Sequence, residues 1–211
     1  MIILYRLLIN LILFLSPLII LIRLINKKEH LTRFKEKFCF FSKKRKNKKL
    51  IWFHGASVGE IKSIVPLIEK LEKEKKINQI LVTSSTLSSS KIFKKFKFRK
   101  TVHQFFPVDG FVFTKKFLNH WKPDLAIFID SEIWPNMLLN INKKNIPTIL
   151  LNARITKKSF RRWIYFGSFA QKIFQCFNAT FPQNKETTKY LKYLKVKKIK
   201  FLGNIKFSEN E

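Results

Sequence analysis

The segment at residues 50–71, LIWFHGASVGEIKSIVPLIEKL, constrains the fold of this chain more than any other. Its first five residues are mostly bulky and apolar, as in a buried strand, and Gly55 then turns the chain. Ser57 is well placed to cap a helix whose apolar side chains recur every three or four residues. A strand that leads through a turn into an amphipathic helix is the repeating unit of α/β proteins.

The same unit recurs along the rest of the chain. Further apolar segments predict strands at 79–84, 102–106, 124–129, 148–152, 179–182 and 199–202. Helical patterns alternate with them at 88–98, 111–121, 133–144, 157–174 and 185–194. This alternation predicts a Rossmann-like parallel sheet with helices on both faces. Pro66 lies inside the first helix and predicts a kink there.

Polar residues collect where the predicted strands end. His54, Ser57 and Glu60 follow the first strand, and similar clusters stand at 83–86, 107–110, 130–132, 152–154 and 183–184. The carboxyl ends of parallel strands lie on one rim of the sheet, which is where open α/β sheets bind ligands. We therefore expect a binding site on this rim.

Glu60 lies in the first turn of the first predicted helix, where the helix N-terminus stabilises a negative charge by about 0.3–1 kcal/mol. Two interpretations are open. Glu60 is either a capping-box partner of Ser57, three residues before it, or a reactive carboxylate of the ligand crevice. The segment matches no dinucleotide fingerprint, P-loop or zinc motif, since Gly55 and Gly59 stand alone and Glu follows Gly59.

Residues 1–26 are almost wholly apolar and predict a membrane anchor. The stretch between Arg6 and Arg23 has 16 residues, which is short for a span unless both arginines reach the interface. No small-residue cleavage site follows, so we predict an uncleaved anchor that either spans the membrane or lies in its interface. Residues 27–49 predict a basic juxtamembrane linker, and the positive-inside rule places the remainder in the cytoplasm.

The formal net charge of +30 favours an anionic partner: nucleic acid, an anionic membrane or a phosphorylated molecule. Lysine is abundant throughout the chain, so charge alone does not choose among them. A membrane-tethered nucleic-acid binder is one alternative, but the basic-aromatic repeats typical of such proteins are missing, and we predict no nucleic-acid partner. Cys39 and Cys176 lack metal-ligand spacing and indicate a reducing compartment.

Several segments resemble one family in the same order along the chain. WFHGASVGE at 52–60 resembles the start of the soluble part of the Kdo transferases, the membrane-associated enzymes that add 3-deoxy-D-manno-octulosonic acid (Kdo) to lipid A. The block at 106–138, which ends in DSEIWPNML, resembles the most recognisable block of that family. Shorter matches are RFKEKF at 33, NARIT at 152, PQNKE at 182 and GNIKF at 203.

The resemblance extends over essentially all 211 residues, with three departures. Asp130 stands where the family usually has Glu. Leu87 and Ser89 replace a typical Pro and Gly, so the backbone of that loop is expected to differ.

The resemblance implies the N-terminal half of a GT-B glycosyltransferase. Residues 50–211 would be its Rossmann-like, acceptor-binding domain, and the C-terminal donor-binding half would be absent or separately encoded. The implied reaction is inverting transfer of Kdo from CMP-Kdo to the lipid A precursor, lipid IVA, without a cofactor or a metal. The implied location is the bacterial inner membrane, with the catalytic domain facing the cytoplasmic leaflet. The alternative is a truncated, non-catalytic relic that binds lipid A precursor or membrane.

The resemblance also implies roles for individual residues. Glu60 would be the catalytic base, and Ser57 and the Gly59 N–H would steady anionic groups. The alternative for Ser57 and Gly59 is that they only cap the helix. Glu132 would order the rim or contact the acceptor, and its alternative is an ion pair with Arg154.

Two cations complete the implied site. Arg154 and Lys206 would bind the donor carboxylate or lipid phosphates, and their alternative is a solvated cation. The linker and the basic segment KKSFRR at 157–162 would attract the phosphates of the acceptor.

Overall fold

The computed structural model describes residues 1–204, in which six strands form one parallel sheet. The strands are β1 (Leu50–His54), β2 (Gln79–Ser84), β3 (Thr101–Phe105), β4 (Leu125–Ile129), β5 (Thr148–Ala153) and β6 (Ala179–Pro182). Their spatial order is β3-β2-β1-β4-β5-β6, and each neighbouring pair is parallel. This is the strand order of a Rossmann fold, as predicted, and its topological switch point lies between β1 and β4.

Helices cover both faces of the sheet. The helices of the described residues are α1 (Ile2–Ile25), which belongs to neither core cluster, and α2 (Val58–Ser63), α3 (Val65–Lys73), α4 (Leu87–Phe93), α5 (Phe111–Trp121), α6 (Pro135–Lys143), α7 (Lys157–Tyr165), α8 (Gly167–Phe174) and α9 (Lys185–Tyr193). A short 3-10 helix, Arg33–Phe38, precedes β1.

The core consists of two clusters, one on each face of the sheet. Side chains alternate along a strand, so Trp52 and Phe128 belong to one cluster while Phe53 and Ile127 belong to the other. The first cluster includes apolar residues of α5, α6 and α8, and the second includes those of α2 and α3. Both central strands are therefore buried on both faces, which explains their nearly continuous apolar sequences.

Two long helices of the sequence-based prediction are each divided in two. The first is interrupted at Ile64, so that Pro66 falls in the first turn of α3, where its missing N–H breaks no hydrogen bond. A break thus takes the place of the predicted kink. The second is interrupted at Phe166, where Gly167 adopts a left-handed φ of +51° that glycine accepts without strain.

The predicted strand at 199–202 is wrong. Ile199 forms one isolated bridge with Thr180, and the chain does not continue along β6. Phe201 and Leu202 are exposed by 49% and 58%, so this segment buries too little apolar surface to hold an added strand.

The basic segment at 27–49 is attached to the sheet. Glu36 is 1% exposed, forms an ion pair with Arg33 (Oε1–Nε 2.8 Å) and accepts the Phe105 N–H of β3 at 2.8 Å. The 3-10 helix is therefore part of the folded domain, because its carboxylate satisfies a backbone donor on an edge strand.

Candidate functional site

The candidate site lies in the crevice at the switch point, between the carboxyl ends of β1 and β4. His54 ends β1 and is fully buried, while Glu132 follows β4. His54 Nε2 lies 3.0 Å from Glu132 Oε2, and since a carboxylate only accepts, the imidazole is the donor. The Trp134 indole N–H donates to the same oxygen at 2.8 Å. Two donors thus converge on one carboxylate.

The rest of the His54 ring is also held. Its Nδ1 lies 3.0 Å from Thr83 Oγ1 on β2, and the ring of Phe106 stacks on it with a centroid distance of 3.7 Å. The imidazole is therefore fixed by groups that follow or belong to three other strands, β2, β3 and β4. Such a ring has one orientation, and so does the carboxylate that it contacts.

The pKa of Glu132 reflects these contacts. Burial alone would raise the pKa, but the hydrogen bond and charge of His54, together with the Trp134 N–H, more than offset it. The pKa of Glu132 therefore lies below its ordinary value. This carboxylate is ionised at neutral pH and serves as a fixed negative charge beside the crevice.

Glu60 lies across the crevice in the first turn of α2. Its Oε2 accepts the Ala56 N–H at 2.8 Å, its Oε1 accepts the Ser57 hydroxyl at 2.6 Å, and Ser57 Oγ accepts the Glu60 N–H at 3.2 Å. The capping interpretation is confirmed by this geometry. It leaves the catalytic interpretation open, because Glu60 is only partly buried and borders the crevice.

The pKa of Glu60 is shifted in the opposite direction from that of Glu132. Burial raises it, the Ser57 hydrogen bond lowers it, and the negative charge of Glu132 raises it further. The net effect is a raised pKa. Two carboxylates on one crevice thus differ in basicity, and the more basic one is better suited to accept a proton.

Gly55 makes the position of Glu60 possible. A Cβ on Gly55 would lie 3.0 Å from Glu60 Cβ, closer than carbon atoms normally pack, so the Glu60 side chain would have to shift. The turn is also held by α4, whose Ser89 hydroxyl donates to the Ala56 carbonyl at 3.1 Å. Ser89 therefore supports the turn that carries Glu60.

The alternative interpretation of Glu132, an ion pair with Arg154, is wrong. In residues 1–204 the side chain of Glu132 instead accepts hydrogen bonds from Trp134 and from His54, which β1 places directly across the switch point. Arg154 follows β5, one strand further away, and its side chain is exposed. Its N–H donates to the Asp130 carbonyl at 3.1 Å, where the chain turns with a φ of +62°.

The remaining predicted residues are placed as follows. Ser57 and Gly59 are exposed beside Glu60 at the start of α2, and a Cβ on Gly59 would meet no atom within 4 Å. Lys206 lies outside the described residues. Within residues 1–204, no group of three His, Cys, Asp or Glu side chains forms a metal-ligand set, and metal-free chemistry stays a prediction.

Two residues of the site were not assigned a role from sequence: His54 and Trp134. The signal for His54 was an imidazole at the end of an otherwise apolar strand. Trp134 stands two residues after Glu132, but nothing in that spacing shows that its N–H reaches back to the carboxylate.

An apolar cavity of about 290 Å³ opens beside Trp134. Its walls include Leu4 and Leu8 of α1, Trp163 of α7, and Phe166 at the break between α7 and α8. The polar crevice and this cavity share the Trp134 side chain. A ligand with a polar head and an apolar chain therefore matches the two compartments.

The fold and the crevice define the class of protein: a Rossmann-like α/β domain with its site at the switch point. GT-B-like solved structures share this fold. The UDP-GlcNAc 2-epimerase of Neisseria meningitidis, bound to UDP-GlcNAc, matches with a TM-score of 0.54 at 14% identity, over 75% of this chain and 47% of that one. The UDP-N-acetylglucosamine 2-epimerase of Rickettsia bellii gives 0.52 at 14% identity, over 75% and 45%. At such identities the likeness concerns the fold alone.

Sequence comparison identifies the family. The family described as 3-deoxy-D-manno-octulosonic-acid transferase (kdotransferase) matches residues 32–209, and this chain belongs to it. The 3-deoxy-D-manno-octulosonic acid transferase of Rickettsia bellii is 39% identical over 193 residues, which are 92% of this chain and 46% of that protein. That of Haemophilus influenzae is 29% identical over 163 residues, 76% and 38%. The chain spans less than half the length of these curated relatives.

Proposed function

We propose that this domain binds the acceptor and carries the catalytic base of a glycosyltransferase that moves Kdo from CMP-Kdo to the lipid A precursor, lipid IVA. Membership of the Kdo transferase family supports Kdo transfer as the reaction. The observation that carries the proposal is the pair of carboxylates on the switch-point crevice, of which Glu60 has the raised pKa.

In the proposed reaction, a primary hydroxyl of the acceptor attacks the anomeric carbon of Kdo from the face opposite CMP. The new C–O bond forms as the bond to the CMP phosphate oxygen breaks, and CMP leaves with the electron pair. Glu60 takes the hydroxyl proton, and its raised pKa makes it a stronger base than an exposed glutamate. The configuration at the anomeric carbon is inverted, and no metal or cofactor takes part.

Ser57 and the Gly59 N–H lie beside Glu60 in the first turn of α2, and in this proposal they would steady an anionic group of a substrate. Glu132, held by His54 and Trp134, would order the rim and accept a hydrogen bond from an acceptor hydroxyl. Its negative charge also adds to the effect of burial, which is the main cause of the raised pKa of Glu60.

The acceptor would occupy both compartments of the site. Its sugar would lie in the polar crevice and one acyl chain would enter the apolar cavity bordered by Trp134 and Phe166. Arg161 and Arg162, exposed on α7, would attract its phosphates. Arg154, together with Lys206, would bind the donor carboxylate or a lipid phosphate.

We further propose that a donor-binding half completes the enzyme and that it works at the cytoplasmic leaflet of the bacterial inner membrane. Among residues 1–204, α1 is the one helix that is long and apolar enough to cross a membrane, judged by length and composition. Such a helix would keep the crevice near an acceptor whose other acyl chains stay in lipid.

The test is Kdo transfer by the natural polypeptide in its own membranes, with labelled CMP-Kdo and lipid IVA. Phe166→Ala should raise KM for the acceptor severalfold with little change in kcat, because the cavity wall is lost. Tyr165→Ala is the matched control, since this neighbour is 85% exposed and outside the cavity wall. Acceptor binding without any transfer would identify the non-catalytic relic and overturn the proposal.

A further inference from the structure

Helix α1 contacts the folded domain near both of its ends and at Leu13, whose side chain lies beside Gly110. Its half-buried residues recur every three or four positions, which places them on one face: Tyr5, Ile9, Leu13, Ser16, Ile20 and Leu24. The other faces carry large apolar side chains that are exposed, among them Ile3 at 72% and Phe14 at 81%. One stripe of the helix thus packs on protein, and the rest has no protein partner in the described part of the chain.

Polar contacts attach the first turns of α1 to the rim of the sheet. The Tyr5 hydroxyl donates to Asp109 Oδ2 at 2.6 Å. Asp109 is 1% exposed and also accepts the N–H groups of Asn136 and Met137, so it caps α6 as well. Arg6 Nε donates to Asn136 Oδ1 at 3.1 Å. A buried carboxylate therefore fixes the N-terminal end of α1 beside the site.

The last turn of α1 is attached to the same domain. Arg23 Nε lies 3.0 Å from Glu29 Oε2, and Lys37 Nζ lies 2.6 Å from the same oxygen. Glu29 is 4% exposed, and Lys37 belongs to the 3-10 helix that packs on β3. The C-terminal end of α1 is therefore held by a buried ion-pair cluster.

The length of α1 decides what these two attachments mean. Its 24 residues extend about 36 Å, more than the ~30 Å of a bilayer's hydrocarbon core. A helix that crossed the bilayer would place its ends on opposite sides, yet both ends are bound to one folded domain. Moving either end away would take the Tyr5 hydroxyl from buried Asp109 or the Arg23 guanidinium from buried Glu29, and each loss costs free energy.

We propose that α1 does not cross the membrane but lies along its surface, with the exposed apolar faces in the lipid and both ends on the side of the domain. The occupant of those faces is a lipid bilayer, because an apolar face of this length ends in the cations Arg23, Lys27 and Lys28, as in helices that bind membrane surfaces. The arrangement stands on the contacts of α1 and is independent of the reaction that the domain catalyses.

The experiment compares the sidedness of two cysteines in native membranes. One is in a hydrophilic tag added before Met1, and the other is Lys189→Cys, exposed on α9. The native thiols give little background, because they are buried and burial raises the pKa of Cys39 to about 12 and that of Cys176 to about 11. A membrane-impermeant maleimide is applied to sealed spheroplasts and to inverted vesicles.

The proposal expects both cysteines to be labelled from the same side. Labelling of the tag from one side and of Lys189→Cys from the other would overturn it. This result is independent of Kdo transfer, so failure of the topology and failure of the proposed reaction are distinguishable.

A second measurement tests the attachment itself. Tyr5→Phe removes the hydroxyl that Asp109 accepts and should lower Tm by about 4–8 °C. Tyr165→Phe removes a hydroxyl that is exposed and should leave Tm unchanged. Equal Tm values for the two variants would show that α1 is not attached in this way.

Discussion

Replacing Glu132 by glutamine removes the negative charge on which His54 and Trp134 converge. The side chain is 14% exposed, and one of its oxygens accepts both donors, at 3.0 and 2.8 Å. A hydrogen bond to a charged acceptor contributes about 1.5–3 kcal/mol, and glutamine retains one oxygen that can accept one of the two donors. We expect Glu132→Gln to lower the free energy of unfolding by about 2–3 kcal/mol, which corresponds to a Tm lower by about 4–12 °C.

The same variant should have a characteristic pH dependence. The pKa of Glu132 in the folded state lies below the ordinary value of 4.5, so its stabilisation is complete above the unfolded-state pKa and is lost as the pH falls through the folded-state pKa. The difference in Tm between wild type and Glu132→Gln should therefore be constant from pH 7 to about 5 and shrink below 4.5. Thermal unfolding followed by circular dichroism across this range measures it.

Glu69→Gln is the matched control, because Glu69 is an exposed glutamate on α3. Its effect should stay within about 0.5 kcal/mol. The reasoning is refuted if Glu132→Gln has the Tm of the wild type at pH 7, or if the difference between them persists unchanged at the lowest pH at which both proteins fold.

Two further predictions concern the base. Gly55→Ala should reduce Kdo transfer while the domain still folds, because the new methyl group displaces Glu60. Gly59→Ala is the control: its methyl group meets no atom within 4 Å and should slightly stabilise α2. Circular dichroism and transfer assays on both variants separate displacement of the base from damage to the helix. The pH profile of kcat/KM should lose activity on the acid side with a pKa above 4.5, since burial raises the pKa of Glu60; an acid limb at or below 4.5 would contradict its assignment as the base.

The strands were predictable because a strand that is buried on both faces consists mostly of consecutive apolar residues. Leu50–His54 and Gln79–Ser84 are apolar segments bounded by polar turns, and the observed bounds agree with the predicted ones. The helix breaks were harder, since the apolar spacing of 157–174 continues across Phe166 and only Gly167 marks the interruption. Pro66 indicated that the helix would not continue regularly through this position. Whether a proline kinks a helix or begins a new one depends on packing, which the sequence pattern does not show.

The contacts within the site depend on the order of the strands in the sheet, which could not be predicted from the apolar and polar pattern of the sequence. Glu132 and Arg154 each follow one of two consecutive strands, and an ion pair between them was a reasonable expectation. The order of the sheet instead places β1 beside β4, so His54 becomes the partner across 78 residues of chain. Ser57 and Glu60 were predictable as neighbours because a helical turn brings residues three apart together.

The central claim is that Glu60 is the base of Kdo transfer, and the most direct measurement is the transfer rate of Glu60→Gln in the natural polypeptide, assayed with CMP-Kdo and lipid IVA in its own membranes. The account predicts a loss of at least about 100-fold in rate, with acceptor binding retained and Tm near that of the wild type. Glu69→Gln in the same assay should transfer at the wild-type rate. Transfer by Glu60→Gln at the wild-type rate would contradict the claim.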